Sequence, residues 1–121
     1  MKRLKPFKFM EDARGSFTGL LNRNHWEEIN YIETAAGQVR GGHYHKEIVE
    51  IFFILEGEIE VTIRKMENEE VWKFIARKGD LFMVEPNEIH TFKTTAVSKW
   101  INILSKKIVD AMPDFFIPSE K

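Results

Sequence analysis

From Glu58 to Met66 polar and apolar residues alternate almost without a break, with Ile59, Val61 and Ile63 on one face and Glu58, Glu60, Thr62 and Arg64 on the other. A period of two puts one side of an extended chain in a core and the other in water. At helical pitch the same residues would be scattered around the axis. After the polar Glu67-Asn68-Glu69, a strand-like pattern resumes from Glu70 to Ala76 with Val71, Trp72, Phe74 and Ile75, so the pair reads as a hairpin. Short apolar stretches recur along the rest of the chain: Ser16 to Leu21, Ile29 to Thr34, Val39 to His45, Glu50 to Leu55, Leu81 to Val84, His90 to Thr95 and Lys99 to Leu104. Strands about 8–12 residues apart, punctuated by turn residues, predict an all-β, antiparallel barrel or sandwich. Helical character is expected only in two short pieces, Asn24 to Glu28 and Lys106 to Met112.

The 121 residues suit a single domain over 1–121, with the barrel at about 29–105. The end from Asp110 to Lys121 carries Met112, Phe115, Phe116 and Ile117. Such a tail is expected to pack on the barrel or on a partner, as are the N-terminal strands. The Glu50 to Leu55 strand is apolar on both faces, which suggests that one face fills the barrel and the other is covered by a second copy in a homodimer. Eighteen Lys and Arg against 19 Asp and Glu argue against nucleic acid or an anionic membrane as partner, so an anionic ligand would be held by a few placed arginines. No stretch approaches the ~20 apolar residues of a membrane helix, and the N-terminus lacks a signal-peptide core. The expected location is cytoplasmic.

With no cysteine, disulfides, thiolate catalysis and Cys-type metal sites are excluded, and any metal must sit on His and carboxylate. Three of the four histidines lie in a suggestive pattern: His43 and His45 at i and i+2 on a strand, with His90 near the start of a later one. Glu50 opens the apolar stretch just beyond the histidine pair. Three imidazoles and a carboxylate suit a divalent transition metal such as Mn, Fe, Co, Ni or Zn. His25 lies outside the pattern.

The spacing Gly37, five residues, His43-x-His45, four residues, Glu50, six residues, Gly57 resembles the first motif of the cupins, a family of small β-barrels. Gly79 and His90 keep the spacing of the second motif, with Pro86 one place late, Glu88 near the expected Gly and Thr94 in place of its Asn. The resemblance implies a jelly-roll barrel with His43, His45, Glu50 and His90 as metal ligands in its mouth.

The run Glu11-Asp12-Ala13-Arg14-Gly15-Ser16-Phe17, then Asn30-Tyr31-Ile32 and Arg40-Gly41-Gly42-His43, is similar in order and spacing to the RmlC-like cupins. These include nucleotide-sugar 3,5-epimerases and 3,4-ketoisomerases. That likeness implies proton transfer beside the ketone of a dTDP-4-keto-6-deoxyhexose. His43 or His45 would be the base and Tyr31 would assist. Arg14 and Arg40 would hold the diphosphate, and Gly41 and Gly42 would let the substrate approach the backbone. The complete ligand set keeps a second reading open: a metal-binding cupin of other function, such as a small oxygenase, a metal-dependent isomerase or a non-catalytic sensor of a small molecule.

Overall fold

The computed structural model describes residues 1–109 and 113–118. Eleven strands run in chain order: β1 (Lys2–Leu4), β2 (Lys8–Asp12), β3 (Gly15–Gly19), β4 (Glu28–Thr34), β5 (Val39–His43), β6 (Glu50–Glu56), β7 (Glu58–Lys65), β8 (Val71–Arg77), β9 (Leu81–Val84), β10 (Glu88–Thr94) and β11 (Ser98–Leu104). They form a five-stranded sheet in the order β1-β9-β6-β11-β4, a four-stranded sheet β5-β10-β7-β8, and the separate hairpin β2-β3. Every pairing is antiparallel. The fold is therefore all-β, a jelly roll of two sheets packed face to face.

The two expected helical pieces are corrected. Residues 24–27 form a loop that leads into β4, which Glu28 opens, and residues 106–109 are irregular, while 110–112 lie outside the described residues. Asn24 has φ +64°, which interrupts any helical run there.

Alternation decides which side chains fill the barrel. From the larger sheet Phe52, Ile54, Phe82, Val84 and Trp100 point inward, and they meet Ile59, Val61, Ile63, Ala76 and Phe92 from the smaller one. Each large apolar side chain so buried contributes about 1.5–3 kcal/mol relative to leaving it in water. The outer face of β6 is covered differently from expectation. Ile51 packs with Leu81 and Met83 under Leu4, Leu21 and Trp26, all from this same chain, so no second copy is needed to cover that part. The lateral strand β4 does leave Ile29 and Tyr31 exposed on the outer face.

Two local features shape the mouth of the barrel. At Gly41, φ is +96° and an added Cβ would stand 2.3 Å from the His90 carbonyl oxygen, so the bare backbone lets β5 press against β10. The space a side chain would need at Gly41 is thus taken by the neighbouring strand, while its backbone lines the cavity at the mouth. At the start of β10 the turn is made by Asn87, φ +62°, a conformation that asparagine tolerates better than most residues. Thr94, at the far end of β10, is buried and donates to the Ala35 carbonyl at 2.6 Å while accepting from Gln38 N–H at 3.0 Å. It ties the β4–β5 connection to the barrel.

Candidate functional site

His43 ends β5 and stands opposite His90 in the register of β5 with β10, their rings 4.5 Å apart. Glu50 opens β6 on the facing sheet and is buried. One ligand atom from each of His43, Glu50 and His90 falls within 4.8 Å of the others, close enough to share one cation. Glu50 Oε1 and His90 Nδ1 are buried without a hydrogen bond of good geometry. An unpartnered nitrogen such as His90 Nδ1 is costly to bury, and Glu50 Oε1 has imidazole nitrogens as its neighbours, so a cation would satisfy both and these three residues fit a divalent metal.

His45 is not in that triplet. β5 stops at His43, yet the His45 ring still reaches the same cavity, 5.4 Å from that of His43. Its Nδ1 instead donates to the backbone carbonyl of Asp114, and its Nε2 lies 2.5 Å from Glu50 Oε1. A carbonyl can only accept, so Nδ1 carries a proton; Nε2 against a carboxylate then calls for a second proton or a cation. Burial opposes a charged His45, but Glu50 and the Asp114 carbonyl outweigh it and raise its pKa. Burial would likewise push Glu50 up, yet His45, His90 and Asn102 together hold it below its ordinary range.

The other two imidazoles go the opposite way. Burial lowers His43, with Glu50 opposing only in part, and burial pushes His90 down to about 4. The mouth therefore sets a His45–Glu50 pair that favours the charged forms beside two imidazoles that burial favours as neutral.

The cavity they line measures about 220 Å³ and is bounded further by Asn30, Ile32, Arg40, Phe52, Phe92, Trp100, Asn102, Leu104, Ile108 and Phe115. Asn102 donates to Glu50 Oε2 at 2.7 Å and accepts from Asn30 at 3.1 Å, so two amides fix which carboxylate oxygen faces the histidines. Arg40 stands at the exposed rim, held by Thr34 Oγ1 at 2.8 Å, where an anionic group could reach it.

Two residues singled out in the sequence lie elsewhere. Tyr31 projects from the outer face of β4, with its hydroxyl donating to Glu33 at 2.7 Å, because Asn30 and Ile32 take the two inward positions beside it. That is a correction to its catalytic role within one chain. Arg14 sits at the exposed hairpin tip, paired with Asp12 at 2.6 Å and away from the cavity. It can serve a site only in another copy.

Asn30, Asn102, Asp114 and Phe115 were not anticipated. Asn102 did carry a signal, being a lone amide between Trp100 and Leu104 on the inward face of β11. No local pattern marks Asp114 as the partner of a loop more than 60 residues earlier.

Comparisons with known proteins agree on the architecture. A 3,4-ketoisomerase from Helicobacter canadensis superposes with a TM-score of 0.77 at 19% identity, over 92% of this chain and 86% of its own. A dTDP-4-dehydrorhamnose 3,5-epimerase from Bacillus anthracis, with TDP and PPi bound, gives 0.75 at 19% identity, over 90% and 74%. The capsular polysaccharide assembling protein CapF from Staphylococcus aureus gives 0.71 at 18% identity over 96% of this chain, which spans only 34% of CapF. No curated protein sequence matches. These neighbours establish the RmlC-like cupin fold. Residues 10–109 match the family described as polysaccharide biosynthesis C-terminal domain, and with most of its length matched the chain belongs to that family.

Proposed function

We propose that this chain acts on a nucleotide-linked keto sugar, as an epimerase or ketoisomerase that moves a proton beside the ketone. The observation that carries the reading is His43: an imidazole kept neutral by burial, on the wall of a cavity whose opposite wall is amide and carboxylate. A neutral imidazole can take the proton from the carbon next to the carbonyl, while the electron pair moves into the carbonyl oxygen. Return of a proton to either face, or to the neighbouring carbon, gives epimer or isomer. His45 has both ring nitrogens engaged, so it supplies positive charge near the developing enolate rather than a transferable proton. At about 220 Å³ the cavity suits a sugar ring but not a nucleotide. The nucleotide would extend past the rim, with Arg40 on its phosphates.

His43, Glu50 and His90 would hold a divalent metal if one is used, and it would supply Lewis-acid polarisation of the ketone. A metal on His43 would occupy the lone pair that the proton transfer needs. The triplet, with the buried His90 Nδ1 lacking a hydrogen bond, therefore favours, as the second reading, a metal-binding cupin of other chemistry. Elemental analysis of untagged protein separates the two: about one ion per chain supports the metal reading, and metal-free protein from metal-replete cells overturns it. For the first reading, incubation with dTDP-4-keto-6-deoxyglucose in deuterated water should place deuterium beside the ketone. No exchange at high enzyme concentration would overturn it.

A homodimer belongs to the same proposal. The β2–β3 hairpin leaves Phe9, Met10 and Phe17 exposed, and β4 adds Ile29 and Tyr31, so apolar surface remains for a second copy. Seated there, the hairpin could carry Arg14 toward the partner's cavity.

A further inference from the structure

We infer that Asp114 is a positioning residue of the site, holding His45 and the loop between His45 and Glu50 in the geometry described above. The residue acts at both ends. Its carboxylate accepts from the backbone N–H groups of Lys46, Glu47 and Ile48 at 2.8, 2.8 and 2.9 Å, and its own carbonyl accepts from His45 Nδ1. Two residues on, Phe116 exchanges backbone hydrogen bonds with Tyr44 at 2.9 and 3.0 Å, and Lys46 lies over its ring. Phe115, between these anchors, is set 4.2 Å from the His43 ring and lines the cavity.

The physical argument is one of accounting. Three successive N–H groups in a turn make a concave donor cluster that favours an anion, and no other carboxylate takes these three donors among the described hydrogen bonds. This loop sets the distance and angle from His45 to Glu50. Without the Asp114 side chain, the main chain carrying its carbonyl has lost its strongest anchor, and His45 Nδ1 would exchange its fixed acceptor for water. The ring could then turn or change tautomer, and the contact of Nε2 with Glu50 would no longer be imposed. Outer groups of this kind typically alter affinity or activity by ~10–100-fold.

The first measurement is independent of any activity. In long-range proton–nitrogen spectra of uniformly ¹⁵N-labelled protein, His45 should show a protonated Nδ1 protected from solvent exchange. Asp114→Ala should lose that protection, Asp114→Asn should retain part of it because one acceptor oxygen remains, and Ile117→Ala, in the same segment but exposed, should leave it intact. Persistence of the protected Nδ1 proton in Asp114→Ala would overturn the inference, even if its melting temperature had fallen. If Asp114→Ala does not fold, the comparison of Asp114→Asn with wild type decides, and an unchanged His45 signal counts against it. The kinetic arm rests on the function proposed above: kcat for deuterium exchange should fall ~10–100-fold in Asp114→Ala with little change in KM. Absence of exchange in the wild type would count against that function while leaving the spectroscopic result to stand by itself.

Discussion

The two Phe-rich segments outside the sheets, the hairpin β2–β3 and residues 113–118, have similar apolar content and opposite placements. The hairpin carries Phe9, Met10 and Phe17 exposed to solvent, Phe9 at 64% and Phe17 at 59%. Residues 113–118 lie across the mouth of the barrel, with Phe115 against His43 and Phe116 against Tyr44. What separates them is where the polar backbone groups are satisfied. Lys8 to Asp12 pair with Gly15 to Gly19, and Asp12 takes the Arg14 backbone and guanidinium, so the hairpin is complete in itself. Residues 113–118 have no such internal ladder and find their partners on residues 44–48. Hydrogen bonding, more than apolar content, decides which segment is drawn onto its own barrel.

The contrast predicts that changes at the mouth alter chemistry without altering assembly, and that changes at the hairpin do the reverse. The largest effect is expected at His43, the imidazole beneath Phe115. His43→Ala should reduce deuterium exchange by ~10²–10⁴-fold, with the oligomeric state unchanged by light scattering. Because burial lowers its pKa, His43 stays in its basic form below the ordinary value of 6.5. Exchange in the wild type should therefore persist as pH falls through 6.5 and decline only below it; a midpoint above 6.5 would assign the base elsewhere. Next in size, Phe17→Asp in the hairpin should weaken self-association by about 30-fold or more in sedimentation equilibrium, the scale of a lost interface anchor. The His45 nitrogen signals should not move in the same variant. A wild-type chain that is monomeric at micromolar concentration would remove the hairpin from the assembly and with it any role for Arg14. Arg40→Ala should raise KM for a nucleotide-linked substrate by about tenfold with kcat held, as expected for loss of a charge-assisted hydrogen bond. Smallest of all, Tyr31→Phe should change exchange by no more than about twofold, since its hydroxyl donates to Glu33 on the outer surface, away from the cavity. A larger loss would mean that the outer face of β4 reaches a site in another copy.

Much of the barrel was legible locally. The alternation from Glu58 to Met66 became β7 with Ile59, Val61 and Ile63 buried, and the stretch Leu81 to Val84 is β9 residue for residue. The short strands β1 and β2 were missed because Lys2, Lys5, Pro6 and Lys8 interrupt any apolar period there. Within the site, His43, Glu50 and His90 could be picked out by spacing, since strand ends separated by turns bring such residues to one rim. His45 was grouped with them on the assumption that its strand ran on. Its ring does reach the same cavity, but the acceptor offered by Asp114 takes Nδ1 and leaves Nε2 against Glu50.

By itself the sequence determined the strand-rich class, the exclusion of thiolate chemistry, and which few histidines and carboxylates were available to do anything at the mouth. Those follow from composition and from a period of two, which are local properties. Only the tertiary structure decided that Tyr31 faces outward, that the Gly41 space is filled by the His90 carbonyl, that Asn102 orients Glu50, and that Asp114 closes the loop behind His45. Each of these depends on partners about 50 or more residues apart or on which face of a strand meets the other sheet, and side-chain chemistry alone does not specify a distant neighbour.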